Sequence, residues 1–230
     1  MISITNLNYA YGKQKVLNDI NLCFDKGHNY IIYGKNGAGK TTLLKCLSGI
    51  VKTTQGSIAF TNLDKYQMGL ALGESLLVNK LKVIEYLQFI GDLKSVNFSK
   101  HQKEIDRLLD LMEIGEDRNK RIEKLSKGTK SKVALISALI HSPEWAVLDE
   151  PFSGMDLIAQ KNAVLLLNEK KKLGTTLIIS THKADLLQDF ADYIYILKDG
   201  KIEKELSMQT LTLDLQDRNI SVGSYFADLI

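Results

Sequence analysis

Long apolar runs are missing from this sequence, which excludes some classes of protein. The longest apolar stretch is about eight residues, at positions 133–140, whereas a helix needs roughly 18 to 20 apolar residues to cross a bilayer. We therefore expect no membrane-spanning helix. The first residues, Ile2-Ser3-Ile4, alternate like a strand and lack the basic and apolar regions of a signal peptide. We expect the protein to remain in the compartment where it is made.

Cysteine and proline are also scarce, with two of each. Cys23 and Cys46 fit neither a disulfide framework nor a paired Cys and His metal site, which indicates reduced thiols in the cytosol. A net charge of +3 with 25% charged residues is ordinary for a soluble protein and does not require a nucleic acid partner. With 230 residues, 44% of them hydrophobic, the chain can bury the core of one large domain.

The pattern of apolar residues predicts alternating strands and helices. Short alternating runs, such as residues 20–24, predict antiparallel strands near the start. Apolar residues recur at helical spacing from about residue 82 to residue 125, which predicts a helical subdomain. The apolar strand candidates 145–148 and 176–179 are separated by the helical stretch 160–173. Strands that alternate with helices predict a parallel sheet covered on both faces.

Two features lie near the end of the chain, a predicted turn and a tail. Asp199-Gly200 separates two strand candidates and tolerates the positive φ of a two-residue turn, so we predict a hairpin there. The remaining tail, residues 207–230, alternates at Leu211, Leu213 and Leu215 and carries no chemical motif.

A glycine-rich stretch lies between an apolar strand candidate and leucines at helical spacing. Its sequence, Gly34-Lys35-Asn36-Gly37-Ala38-Gly39-Lys40-Thr41, matches the phosphate-loop pattern. In that pattern backbone N–H groups wrap a β-phosphate, and the helix N-terminus adds positive potential. Lys40 is predicted to reach the β and γ oxygens, and Thr41 to ligate Mg²⁺. The predicted nucleotide contacts are Gly34, Asn36, Gly37, Ala38, Gly39, Lys40, Thr41 and Thr42.

Two acids, Asp149 and Glu150, follow the strand candidate 145–148. The carboxyl ends of strands are where open α/β sheets bind ligands. We predict that Asp149 holds Mg²⁺ through water and that Glu150 polarises the attacking water as general base. Acids at a strand end are often merely solvated, but the phosphate loop in the same chain favours the catalytic interpretation.

With these motifs, the chain resembles the ABC ATPase family, and the resemblance covers nearly its whole length. Leu125-Ser126-Lys127-Gly128-Thr129 is similar to the signature motif, with Lys127 where many members have glycine and Thr129 where many have glutamine. The resemblance implies that Ser126 and Gly128 contact the γ-phosphate bound by a second subunit, so that two subunits enclose two nucleotides. A helix N-terminus suits this role. Taken alone, the segment is also typical of an ordinary helix cap.

Three further positions follow from the same resemblance. In residues 152–156, which resemble the D-loop, Asp156 is implied to face the dimer partner. His182, after an apolar strand candidate, resembles the switch histidine that contacts the γ-phosphate, although a lone histidine is more often incidental. Tyr11 stands where the family places an aromatic that stacks on adenine. Two alternatives stay open: Tyr11 packs in the core, or Tyr9 rather than Tyr11 stacks on adenine.

The coupling loop departs most from the family pattern. Most members carry a glutamine there that touches Mg²⁺ or the attacking water, but residues 70–77 contain none. Glu74 is the nearest group able to reach a metal or a water. Glu74 as a solvent-facing loop acid stays equally open, and a one-residue shift would put Gly73 in the key place. Gln67 lies several residues too early.

The resemblance implies an α/β fold: a P-loop NTPase core with a mainly parallel sheet, an N-terminal antiparallel β subdomain and an inserted α-helical subdomain. We expect a single ABC ATPase domain with residues 1–81 and 141–206 as the core, 82–140 as the helical subdomain and 207–230 as an extension. The implied function is an ATP-hydrolysing subunit, with ATP and Mg²⁺ as cofactors, that dimerises and drives a separate integral membrane permease. The chain is most similar to bacterial exporter subunits. The resemblance implies a location in the cytoplasm, peripheral on the inner face of the cell membrane through the permease.

Rival interpretations are a GTPase or small kinase and a soluble ABC ATPase with a non-transport mechanical role. A GTPase reads guanine with an Asn-Lys-x-Asp turn, and the nearest string, residues 79–82, lacks the aspartate. Most of the soluble mechanical members carry coiled-coil arms or two fused ATPase halves, which this sequence lacks, so transport is favoured. Basic residues between positions 118 and 132 are interleaved with acids and lack aromatics for base stacking. That pattern favours a solvated face over a nucleic-acid surface. The sequence does not determine whether the second subunit is identical to this chain or which substrate is carried.

Overall fold

The computed structural model describes residues 1–94, 98–184, 190–217 and 220–227. The strands are β1 (Ile2–Tyr11), β2 (Gln14–Phe24), β3 (Asn29–Tyr33), β4 (Gln55–Phe60), β5 (Gly69–Leu72), β6 (Trp145–Asp149), β7 (Thr176–Thr181), β8 (Tyr193–Lys198) and β9 (Lys201–Ser207). The helices are α1 (Lys40–Leu47), α2 (Val83–Leu93), α3 (Phe98–Leu111), α4 (Lys127–Leu139), α5 (Leu157–Lys172), α6 (Met208–Asp217) and α7 (Val222–Ala227).

The chain divides into two compact units. The first consists of Met1–Lys65 and Thr176–Ile230, and the second of Tyr66–Thr175. Within the four described ranges, every helix is too short or too polar to cross a bilayer. Both cysteines are free thiols, Cys23 exposed and Cys46 buried, and burial raises the pKa of the Cys46 thiol to about 11.

The first unit opens with a three-stranded antiparallel sheet in the order β2-β1-β4. Ile2 and Ile4 point to the core, and the next buried residue of β1 is Leu7 rather than residue 6. Asn6, with φ 48°, lies at a register shift that moves the alternation by one residue. The predicted antiparallel layer is confirmed, with a bulge that periodicity alone did not reveal.

The same unit contains a second sheet segment in the order β7-β3-β8-β9. β3 runs parallel to β7 and β8, and β9 returns antiparallel to β8. Every residue of β3 and β7 is buried, as expected of parallel strands covered on both faces. The predicted hairpin joins β8 to β9. Its turn residues Asp199 and Gly200 have φ values of 46° and 74°, which is the two-residue turn that matches strand twist.

The tail of the first unit is helical. Leu211 and Leu215, four residues apart on α6, are buried, while Leu213 is 59% exposed. Four residues are about one helical turn. The alternation seen in sequence is therefore the spacing of a helix with one exposed leucine, and not a strand.

The second unit combines the parallel pair β5 and β6 with helices α2 to α5. The predicted helical region contains α2, α3 and α4, and α3 with the turn after it buries Ile105, Leu108, Leu109 and Met112. The predicted helical stretch 160–173 falls on α5.

A buried ion pair joins α3 and α5 in this unit. Lys170, with its side chain 1% exposed, places Nζ 2.9 Å from Oε1 of Glu104. Arg107 donates to both Glu104 and Glu169. Burial alone would raise the pKa of the Glu104 carboxyl, but the hydrogen bonds from Arg107 and Lys170 outweigh it and lower that pKa.

Candidate functional site

The phosphate loop connects β3 to α1 and encloses a lysine ammonium. Lys40 is 6% exposed, and its Nζ donates to the carbonyl oxygens of Gly34 at 2.7 Å and Lys35 at 3.1 Å. Gly39 begins α1 with φ 107°, a left-handed conformation that suits glycine. The N-cap residue of α1 is this glycine, which has no side chain to cap the helix. The first amides of this helix are thus arranged for an anion.

Neighbouring backbone determines the shape of the loop. A Cβ on Gly34 would lie 2.3 Å from the carbonyl oxygen of Leu197, so only glycine fits there. The amide of Gly200, in the β8–β9 turn, donates to the carbonyl of Ala38 at 3.1 Å. Asn36, Gly37 and Ala38 line a cleft of about 390 Å³ together with Leu197, Lys198 and Asp199. At the start of α1, Thr41 is exposed and Thr42 buried.

His182 lies at the same edge of the sheet as the start of the phosphate loop. Tyr33, the last residue of β3, pairs in register with Thr181, the last residue of β7. Gly34 and His182 therefore leave adjacent parallel strands at their carboxyl ends. His182 is exposed, and a 3.1 Å hydrogen bond from the amide of Lys183 to Oγ1 of Thr181 spans it.

Tyr11 lies at the end of β1 and is 49% exposed. Its exposure argues against the core-packing alternative and leaves its ring available to a planar ligand. Tyr9 packs edge-on against Tyr11, with ring centroids 4.9 Å apart. Stacking on adenine by Tyr11, or by Tyr9, stays a prediction.

In the second unit, Asp149 ends β6 and Glu150 follows it. Both side chains are half-buried. Glu150 has φ 46°, in the left-handed region that non-glycine residues seldom occupy. Such backbone strain is frequent at functional sites, and it re-aims a side chain away from the course of the strand. Sequence patterns carry no signal for this conformation.

Glu74 lies beside these acids. Leu72 of β5 pairs with Asp149 of β6, so the loops after both strands start at the same edge. Glu74, Asp149 and Glu150 line one cleft of about 220 Å³ with Lys127 and Lys130.

The carboxylate of Glu74 already has a partner. Its Oε2 lies 2.9 Å from Nζ of Lys130, with side chains 46% and 17% exposed. Glu74 is thus an exposed loop acid that forms an ion pair, and its role at a metal or a water stays a prediction. Sequence reasoning placed Lys130 on a solvated basic face and missed the contact. Other members of that basic stretch also pair with acids, including Arg118 with Asp106 and Lys120 with Asp117.

The signature segment forms the N-terminus of α4. Ser126 caps the helix, its Oγ accepting from the amide of Thr129 at 3.1 Å. The helix-cap interpretation is thus correct as local structure, and anion binding by Ser126 and Gly128 stays a prediction. A Cβ on Gly128 would lie 2.2 Å from the carbonyl oxygen of Gly154. This close approach explains the glycine at position 128.

Asp156, two residues after Gly154, caps the N-terminus of α5. Its Oδ1 accepts from the amide of Ala159 at 2.8 Å. The signature segment and residues 152–156 therefore lie side by side in the second unit, through the approach of Gly128 to Gly154.

The predicted site residues fall into two groups. The phosphate loop, Tyr11 and His182 belong to the first unit, and Glu74, Ser126, Gly128, Asp149, Glu150 and Asp156 belong to the second.

Comparison with known proteins places these features in a family. The model of the family described as ABC transporter matches residues 17–153. An uncharacterised ABC transporter ATP-binding protein of Methanocaldococcus jannaschii is 34% identical over 200 residues, which cover 87% of this chain and 75% of the relative. The lantibiotic transport ATP-binding protein SrtF of Streptococcus pyogenes is 32% identical over 212 residues, covering 89% and 91%. The methionine import ATP-binding protein MetN of Clostridioides difficile is 30% identical over 215 residues, covering 88% and 67%.

Solved structures confirm the predicted fold class. An ATP-binding subunit of an ABC transporter superposes with a TM-score of 0.87 at 23% identity, over 100% of this chain and 99% of that one. A dimeric post-hydrolysis ATP-binding cassette bound to ADP and Pi gives a TM-score of 0.80 at 23% identity, over 90% and 99%. At this identity the likeness shows the α/β cassette fold alone, while the family model and the relatives carry the assignment. The chain belongs to the ABC transporter family and is one of its ATP-binding proteins.

Proposed function

We propose that this chain binds Mg-ATP at residues 34–41 and hydrolyses it to drive a separate membrane permease. The observation that carries the proposal is the enclosed ammonium of Lys40, held by the carbonyls of Gly34 and Lys35 in a loop that ends at the start of α1, where the N-cap residue is a glycine. A glycine-rich loop and a helix N-terminus are the arrangement that binds phosphate.

Each of the two units contains an oxygen donor suited to Mg²⁺. Thr41 offers a hydroxyl at the start of α1, and Asp149 offers a carboxylate at the end of β6, both hard oxygen donors of the kind that Mg²⁺ prefers. Bound Mg²⁺ would neutralise charge on the phosphate oxygens during transfer. Lys40 would add a positive charge to the same oxygens. Glu74, whose Oε2 pairs with Lys130, is proposed as a further oxygen ligand of the metal.

Glu150 is the proposed general base. Its carboxylate is half-buried at the carboxyl end of β6 and can accept a proton from water. His182, leaving the strand beside the phosphate loop, would contact the γ-phosphate.

We further propose that two ATPase subunits, identical or different, enclose ATP. Ser126, Gly128 and Asp156 would act toward the partner subunit. Ser126 and Asp156 are exposed at helix N-termini, where anions and partner groups are stabilised. A dimeric cassette among the solved structures of this fold supports the assembly.

The permease would place the protein in the cytoplasm, peripheral on the inner face of the membrane. The relatives include a lantibiotic transport protein and a methionine import protein, so family membership does not fix direction. Export stays a prediction, which is tested by identifying the membrane protein that co-purifies with this chain. Co-purification with a soluble partner alone would favour the alternative of a non-transport mechanical role.

Replacing the proposed base tests the proposal. Glu150→Gln keeps the shape of the side chain but removes its basicity, so turnover should fall about 10²–10⁴-fold. ATP should remain bound, and a nucleotide-bridged dimer should accumulate in size-exclusion chromatography. Glu144→Gln, just before the opposite end of β6, is the matched control and should keep its turnover. Undiminished phosphate release by Glu150→Gln would overturn the assignment.

A further inference from the structure

The C-terminal helix α7 packs against the strand that leads into the phosphate loop. Phe226 is fully buried, and its ring centroid lies 5.0 Å from that of Tyr33, at an interplanar angle of 66°. Tyr33 is buried as well and directly precedes Gly34. Tyr225 packs edge-on against Phe226, with centroids 5.3 Å apart. Phe226 thus lies between its neighbour on α7 and the last residue of β3.

The phosphate loop depends on its neighbours for its geometry. Three glycines within residues 34–39 give its backbone a wide choice of conformations. Two neighbours restrict it through backbone contacts. The carbonyl oxygen of Leu197 lies against Gly34, and the amide of Gly200 donates to Ala38. Substitution cannot easily remove contacts made by backbone atoms.

Phe226 adds a contact made by a side chain. An edge-to-face pair of buried rings has a preferred geometry, so Phe226 restricts the position of Tyr33. The next carbonyl along the chain, that of Gly34, accepts the 2.7 Å hydrogen bond from Nζ of Lys40. A displacement of Tyr33 would therefore move the acceptor that orients the lysine.

We propose that Phe226 is a positioning residue for the phosphate loop, acting through Tyr33. The tail formed by α6 and α7, to which sequence reasoning assigned no role, then contributes to nucleotide binding. This inference rests on the proposed binding of ATP at residues 34–41.

Nucleotide affinity of the full chain tests it. Phe226→Ala should raise the Kd for ADP and the KM for ATP about tenfold, because small misplacements in a preorganised site cost affinity and rate. Phe226→Leu, which fills part of the space but removes the ring, should weaken binding less than Phe226→Ala and still measurably. Tyr33→Leu should weaken binding to a similar extent. The Phe226→Ala, Tyr33→Leu double variant should bind about as well as either single variant, because residues that act through one contact are not additive.

Leu211→Ala is the matched control within the tail. Leu211 is buried on α6, one turn after Met208, whose amide bonds to Asp192 before the start of β8. Tyr33 pairs further along β8, with Ile196. Leu211→Ala should lower the thermal midpoint and leave the Kd for ADP near the wild-type value.

The outcomes separate this inference from the proposed function. If the wild-type chain binds neither ADP nor ATP, the proposed function fails. If the wild type binds and Phe226→Ala binds equally well, or if Leu211→Ala weakens binding as much, Phe226 has no positioning role. Should Phe226→Ala not fold, Phe226→Leu and Tyr33→Leu decide, with wild-type affinity in both overturning the inference.

Discussion

The ion pair between Glu74 and Lys130 can be tested by exchanging its charges. At the observed separation of 2.9 Å, Coulomb's law gives about 6 kcal/mol at an effective dielectric constant of about 20. Solvent and the ordering of two long side chains offset most of this, and measured pairs on protein surfaces contribute about 0.2–1 kcal/mol. Lys130 is only 17% exposed, so we expect a coupling energy near the upper end, about 1 kcal/mol.

Urea unfolding of four proteins measures this coupling. Glu74→Lys and Lys130→Glu each place like charges together, so each should lower the free energy of unfolding by about 1 kcal/mol. The double exchange restores opposite charges and should recover most of the loss. If the double variant loses the sum of the two single losses, the pair does not form in solution.

The same pair can be tested for its role in coupling. Because Lys130 lies one turn after Ser126 on α4, the pair connects the loop after β5 to the signature helix. Glu74→Ala should abolish stimulation of ATP turnover by the cognate membrane partner, while basal ATP affinity changes little. Glu74→Gln, which keeps a hydrogen-bonding side chain, should retain part of the stimulation. Asp117→Ala removes another ion pair of this unit, with Lys120, and is the control. If Glu74→Ala is still stimulated, the coupling role belongs to another residue.

Three other predictions follow from the fold. Tyr11→Ala should weaken ATP binding about 3- to 10-fold by removing an exposed ring, whereas Tyr11→Phe should bind normally; equal affinity of the alanine variant would exclude Tyr11 as the stacking residue. Lys170→Met should lower the free energy of unfolding by about 2 kcal/mol, because it leaves Glu104 without its buried partner. Since the pKa of Glu104 is lowered in the fold, its stabilising contribution is present above its unfolded pKa of about 4.3 and is lost as the pH falls through its folded pKa. The difference between wild type and Glu104→Gln in urea unfolding should therefore shrink as the pH falls below about 4, and a constant difference would contradict this.

Local patterns were enough to predict the motif-bearing parts of the chain. The phosphate loop, its flanking strand and helix, and the Asp199-Gly200 turn each depend on a few consecutive residues. The fully apolar strands β6 and β7 were identified because both faces of each are covered. Parallel strands also bring their carboxyl ends to one edge, so Gly34 and His182 could be expected together.

Contacts between distant residues could not be predicted in this way. Glu74 and Lys130 are 56 positions apart, and periodicity tells which face of a helix is buried but not what it meets. The approach of Gly128 to Gly154 and the packing of Phe226 on Tyr33 have the same origin. The left-handed backbone of Glu150 is a property of the folded site, because the residue type gives no preference for it.

Mixing two inactive variants tests most directly the central claim that ATP is cleaved between two ATPase subunits, in the case where both subunits are copies of this chain. Lys40→Ala disables the phosphate loop, and Ser126→Arg blocks the proposed contact with the partner's nucleotide, so each variant alone should release little phosphate. In a one-to-one mixture, half of the dimers should be mixed and each should contain one intact site, which restores about a quarter of the sites. Mg-dependent phosphate release should therefore recover upon mixing. Full-rate hydrolysis by Ser126→Arg alone, as a monomer, would contradict it.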